Sequence, residues 1–164
     1  MKKLIKFFFF LSVKIIGKIN PQLATNLSYL FYKRMGMIFH GIPNYIASTV
    51  YFDGGNYSLI ELGEGITISS NVSFLTHDWA LNTIIKSMGI KSDKLIGRHK
   101  SIKVGDYSFI GRGSIVMPGA KIGKGCIIGA GCVVRGEIPD FSVVVGNPAI
   151  VVKDSREYTK KYIN

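Results

Sequence analysis

From Val104 onward the chain sets a large aliphatic residue at every sixth position: Val104, Ile110, Val116, Ile122, Ile128 and Val134. The residue after each is Gly105, Gly111, Met117, Gly123, Gly129 and Arg135, so glycine dominates that position. Four positions after each aliphatic stands a small residue, Ser108, Ser114, Ala120, Cys126 and Cys132, until Ile138 breaks the series. Earlier, Ile60, Ile66 and Val72 read as the same phase, with Ser70 and Thr76 in the small slots. A period of six does not fit a helix of about 3.6 residues per turn, but it suits short strands joined by turns, each sending one aliphatic inward. Spacing held over this many units is the signature of a solenoid. Glycine beside the aliphatic permits a tight corner, and the small residue leaves room for the large one in the stacked coil. Three such units close a triangular coil of parallel strands.

Between Thr76 and Ile102 the spacing disappears, and residues 77–101 read as a loop that leaves the coil. Long loops in compact folds are commonly functional. Ahead of the repeat, Pro21 through Met35 reads as a short helix and residues 36–53 as an irregular entry. From Lys153 the chain reads as a polar tail or a short capping helix. The expected layout is an N-terminal helical segment 1–35, a β-helix 36–153 with the inserted loop 77–101, and a tail 154–164.

The first twenty residues, MKKLIKFFFFLSVKIIGKIN, have the basic start of a signal peptide but no small-residue cleavage site, and Lys14 and Lys18 interrupt an apolar run too short to span a bilayer. Wound as a helix, they gather Leu4, Ile5, Phe8, Phe9, Leu11, Ile15, Ile16 and Ile19 on one side and the five lysines on the other. Such a helix docks on an anionic membrane surface or packs on the body or a neighbouring subunit, and the sequence leaves both open. The net charge of +11 points to an anionic partner. Basic residues are scattered without the basic and aromatic interleaving of a nucleic-acid site, so nucleic acid is set aside. Cys126 and Cys132 form no CxxC pair and occupy small inward slots, which predicts reduced, packed thiols.

Thr76-His77-Asp78 stands where the repeat meets the inserted loop. An imidazole is suited to take the proton from a hydroxyl that attacks an acyl carbonyl near neutral pH. Over residues 54–153 the chain resembles the hexapeptide-repeat acyltransferases, in particular the branch that acetylates sugars and bacterial surface polysaccharides. NVSFLTHDW, IGAGCVV and IPDFSVVVGNPAIVVK carry the likeness. The resemblance implies a mainly β chain folded as a left-handed parallel β-helix, a homotrimer, and transfer of acetyl from acetyl-CoA to a sugar hydroxyl with no metal; the reduced cysteines suit a cytoplasmic place, peripheral to the inner membrane surface if the first helix is the docking kind. By the same resemblance His77 is the general base, with Asp53 or Asp78 as the acid that orients it. Gly129 and Ala130 would line the pantetheine channel, Lys153 would meet a CoA phosphate, Arg112 would stand in a slot often held by serine, and Arg135 would supply a further charge or face solvent. Trp79 and His99 would face the acceptor or pin the loop.

Two rivals come from other classes. One is a zinc enzyme of the γ-carbonic anhydrase kind, for which His40, His77 and His99 are the candidate ligands, although they do not stand at coil spacing from one another. The other is a trimeric β-helix scaffold without catalysis, because a repeat alone does not require chemistry.

Overall fold

The computed structural model describes residues 2–163, with side chains from Phe7 onward. Helices α1 (Lys2–Ile19) and α2 (Pro21–Arg34) meet at Asn20, whose side chain accepts a hydrogen bond from the Leu23 N–H at 2.9 Å, with Pro21 in the first turn of α2. An N-cap acceptor followed by proline is a strong helix start, and it fixes where the first helix stops and the second begins.

A three-sided β-helix follows. Its first coil holds β1 (Ile38–Phe39), β2 (Tyr45–Ile46) and β3 (Tyr51–Phe52), and its second β4 (Ile60–Leu62), β5 (Thr67–Ile68) and β6 (Ser73–Phe74). An arm then leaves the solenoid as β7 (His77–Asp78), α3 (Ala80–Ser87) and β8 (Arg98–His99). The coils resume with β9 (Ile102–Val104), β10 (Phe109–Ile110) and β11 (Ile115–Val116), then β12 (Lys121–Ile122), β13 (Ile127–Ile128) and β14 (Val133–Val134), then β15 (Glu137–Ile138) and β16 (Ser142–Val145). Strands from successive coils stack in parallel into three faces, β1-β4-β9-β12-β15, β2-β5-β10-β13-β16 and β3-β6-β11-β14. At the end β17 (Ile150–Asp154) turns back antiparallel on β16 and covers that edge, and α4 (Ser155–Lys160) follows. The inserted segment is therefore partly helical, where the sequence suggested only a loop.

The registers correct one expectation. Leu62 pairs with Val104, Ile68 with Ile110 and Phe74 with Val116, so the early coil carries its aliphatic phase on Leu62, Ile68 and Phe74. Ile66 and Val72 fall two residues earlier, in the slot that the next coil fills with Ser108 and Ser114, and Ile60 stands over Ile102. Both sets are fully buried, because each six-residue unit sends two side chains inward. A coil apolar at both positions can be read in either phase. Residues 36–53 are corrected as well: they form a complete coil, with Ile46 paired to Ile68 and Phe52 to Phe74. Seven residues separate Phe39 from Ile46, and aromatics stand for aliphatics, so a strict count of six passes over it.

Glycine is needed here for two different reasons. A Cβ on Gly111 would lie 2.6 Å from the backbone nitrogen of Ala130 in the next coil, so contact forbids a side chain there. Gly113 and Gly131, at φ of 72° and 70°, share a corner with Asn71 at 60°, and there the left-handed backbone sets the choice. Cys126 and Cys132 are free and fully buried in the small slots, and burial pushes both thiols up.

The helix pair closes the N-terminal end of the solenoid. Thr25 Oγ1 accepts from the Ile46 N–H at 3.1 Å, and the buried Tyr32 ring packs edge-on against Phe52 and Tyr57. Phe9 stacks on Phe31 with ring centres 3.7 Å apart, Val13 is buried, and Gly17 lies against Ser48 of the first coil. Only part of the apolar side expected for α1 turns inward: Phe8, Leu11, Ile15 and Ile19 remain exposed.

The two kinds of glycine separate in a denaturant titration. Gly111→Ala overpacks the stacked coils and is expected to cost about 1–3 kcal/mol. Gly113→Asn copies what Asn71 does in the preceding coil and meets nothing within 4 Å, so it is expected to shift stability by only about 0.5 kcal/mol.

Candidate active site

One corner of the prism, between the face that contains β3 and the face that contains β4, collects the chemistry. In the first coil it carries Asp53 and in the second Thr76 and His77, at the point where the arm departs. Stacking puts these residues in contact across 23 or more positions of sequence. Asp53 N–H donates to the Phe74 carbonyl at 3.0 Å, and the buried Asp53 carboxylate accepts from Thr76 N–H at 3.1 Å and from Thr76 Oγ1 at 2.8 Å, all on Oδ2. The same oxygen pairs with His77 Nδ1. With Nδ1 committed to the carboxylate, Nε2 is the ring nitrogen left to accept a proton. The His77 side chain is 34% exposed, so a substrate can reach it, whereas Asp53 is closed to water.

The arm supplies the other side of the site. Antiparallel pairing of β7 with β8 sets His99 opposite His77 and Arg98 opposite Asp78. The His77 and His99 rings lie 6.1 Å apart, and Trp79 stands 5.6 Å from His77 and 5.3 Å, edge-on, from His99. Trp79 rests on Gly97, where a Cβ would come within 2.3 Å of the indole. Glycine is thus what lets the indole come this close to the returning chain. Asp78 is engaged elsewhere: it accepts from the Ala80 N–H at 2.9 Å, at the start of α3, and lies 3.6 Å from Arg98. Of the two candidate acids, the one that touches His77 is Asp53.

The remaining expected residues fall at other places on the prism. Arg112, Gly129 and Ala130 stack at the adjacent corner, where Gly131 N–H donates to the Arg112 carbonyl at 2.9 Å. Arg135 shares the His77 corner two coils further on, and Lys153 lies opposite Val143 on the terminal hairpin. Within one chain, then, His77, Asp53, Trp79 and His99 come together, whereas Arg112, Gly129, Ala130 and Lys153 do not join them. His40 is apart from both groups and bonds Glu61 at 2.8 Å. Among the described residues no group of three or more His, Cys, Asp or Glu side chains could hold a metal ion. The sequence reading did not give Thr76 a role of its own, although it supplies two of the three hydrogen bonds on Asp53, and Gly97 gave no signal in a segment without a repeat.

Burial alone would raise the Asp53 carboxyl, but the hydrogen bonds from Thr76 and the pairing with His77 outweigh it and hold the group below the usual carboxylate range. A depressed folded value contributes stability that is present above the unfolded value, near 3.8, and is lost as pH falls through the folded one. Asp53→Asn is therefore expected to cost about 1.5–3 kcal/mol at neutral pH. In thermal melts across pH, the gap between the two proteins should close on acidification below the ordinary carboxylate range; a constant gap would mean that Asp53 is not ionised in the fold.

Residues 101–136 match the family model described as bacterial transferase hexapeptide (six repeats). Protein CapG of Staphylococcus aureus is 41% identical over 110 residues, which is 67% of this chain and 61% of CapG, so the chain spans about three fifths of that relative. The solved maltose O-acetyltransferase from Clostridium difficile 630 superposes with a TM-score of 0.57 at 21% identity, over 88% of this chain and 87% of that one. A galactoside acetyltransferase in complex with coenzyme A does so with a TM-score of 0.58 at 19% identity, over 94% and 83%. At such identities the structural likeness is one of fold. Repeat, register and superposition agree: the chain is a hexapeptide-repeat protein, folded as a left-handed parallel β-helix.

Proposed function

We propose that this chain is an acetyltransferase that moves an acetyl group from acetyl-CoA to a hydroxyl of a sugar, in a surface polysaccharide or its precursor. The observation that carries the reading is the buried Asp53 carboxylate on His77 Nδ1, which leaves Nε2 of a partly exposed ring to act as a base. The family model of bacterial transferases, and the two acetyltransferases that share the fold, one of them in complex with coenzyme A, support it.

In this reading Nε2 takes the acceptor's hydroxyl proton as the oxygen attacks the thioester carbonyl. The tetrahedral intermediate collapses with cleavage of the C–S bond, and the imidazolium returns its proton to the departing thiolate. No acyl-enzyme forms. Asp53 holds the ring in the Nδ1–H tautomer and stabilises the imidazolium, and Trp79 and His99 flank the acceptor. Asp78 serves the arm, through Ala80 and Arg98, and not the base.

The donor side accounts for the residues that one chain leaves at another corner. If prisms pack flank to flank in a homotrimer, the corner with Arg112, Gly129 and Ala130 on one subunit faces the His77 corner of the next, and acetyl-CoA lies between them. Arg135 and Lys153, both exposed, are the cations assigned to its phosphates.

His77→Ala is expected to lower turnover about 10²- to 10⁴-fold while leaving acetyl-CoA affinity within a few-fold. Calorimetric titration reads the affinity, and thiol release with a panel of sugars reads the turnover. Lys153→Glu should instead weaken acetyl-CoA binding. Unchanged turnover in His77→Ala would remove the imidazole from the chemistry, and absence of acetyl-CoA binding by the parent protein would overturn the reading.

A further inference from the structure

Helix α1 packs inward through Phe9, Val13 and Ile16 and leaves a second apolar stripe uncovered. Phe8, Leu11, Ile15 and Ile19 recur at helical spacing on that stripe and are 59%, 48%, 55% and 82% exposed. Lys14 and Lys18 are exposed along its flank. Such a surface on a soluble protein marks a contact, and the question is with what.

Charge answers it. The first 52 residues hold seven basic residues and no acidic one; the first acid in the chain is Asp53. The remaining 112 residues carry fourteen basic against ten acidic residues. A second copy of this chain has less to offer the helix: Asp53 is buried, Glu61, Asp78, Glu137 and Asp154 are paired with their own cations, and Asp106 and Asp140 accept backbone N–H bonds, which leaves Glu64, Asp93 and Glu157 on a surface where basic residues outnumber acidic ones. Among the described residues no helix is long and apolar enough to cross a membrane, so the stripe is not part of a span. An apolar face with a lysine flank and no acids fits a surface that is apolar beneath and anionic above.

We propose that α1 docks the protein on an anionic lipid bilayer, with Phe8, Leu11, Ile15 and Ile19 entering the interface and Lys14 and Lys18 meeting the headgroups. The helix lies in the plane of the membrane, its inward face still stacked on Phe31 and its lysines extended outward along their own apolar stems. This inference concerns binding alone and does not rest on the transfer reaction.

Co-sedimentation of the full chain with vesicles tests it. Binding is expected to equimolar phosphatidylcholine and phosphatidylglycerol, not to phosphatidylcholine alone, and to weaken as salt is raised. Lys14→Gln with Lys18→Gln should lower the partition coefficient about thirtyfold. Ile15→Ser, at a position more than half exposed and outside the buried core, should lower it about tenfold with little change in the thermal melt. Failure to bind the anionic vesicles, or equal binding to the neutral ones, overturns the proposal. So does an Ile15→Ser protein that loses an oligomer in sedimentation while its vesicle binding is unchanged, since the stripe would then be a subunit contact.

Discussion

Each coil of this protein is bonded to the next along three faces, and that vertical stacking places every residue of consequence. No side chain within a single coil could build the site: Asp53 and His77 are 24 residues apart and meet because one coil lies directly over the other at the same corner. The same stacking explains why Gly105 and Gly111 accept no side chain, since Lys124 and Ala130 of the following coil stand where a Cβ would be. It also explains the small slots, where Ser114 and Cys132 share a column with the larger Val72. A solenoid is nearly one-dimensional, so a change in one coil acts first on its immediate neighbours.

The stacking also isolates a charge. Asp53 is buried, a costly position for a carboxylate unless it is hydrogen-bonded and paired. Thr76 and His77 meet that requirement from the coil above, and the pairing selects one tautomer of the imidazole. Structure and chemistry are coupled here: the contacts that make the buried acid tolerable also set the proton-accepting nitrogen. The arm adds Trp79 and His99 by a separate device, an antiparallel ladder whose register sets His99 opposite His77.

How far the sequence could be read follows from the same geometry. From Val104 to Val134 one large aliphatic recurs without a slip and the fold is legible from spacing alone. In the second coil both inward positions are apolar, so Ile60, Ile66 and Val72 mimic the phase that Leu62, Ile68 and Phe74 hold two residues later. In the first coil, the seven-residue step to Ile46 and the aromatic Phe52 hide a complete turn. His77 was legible because the repeat stops there. Its partner was not, since choosing Asp53 over Asp78 requires knowing that residues 38–52 form a coil stacked beneath Thr76. Helix α3 and the packing of Trp79 on Gly97 lie in a segment without period, where only tertiary contact decides.

Stacking of one coil on the next decides which nitrogen of the His77 ring carries the proton. Long-range nitrogen–proton correlation on labelled protein at neutral pH reads the tautomer of each imidazole directly. The account predicts that the neutral His77 ring carries its proton on Nδ1 in the parent protein and loses that preference in Asp53→Asn. A ring protonated on Nε2, or a tautomer indifferent to residue 53, would contradict it.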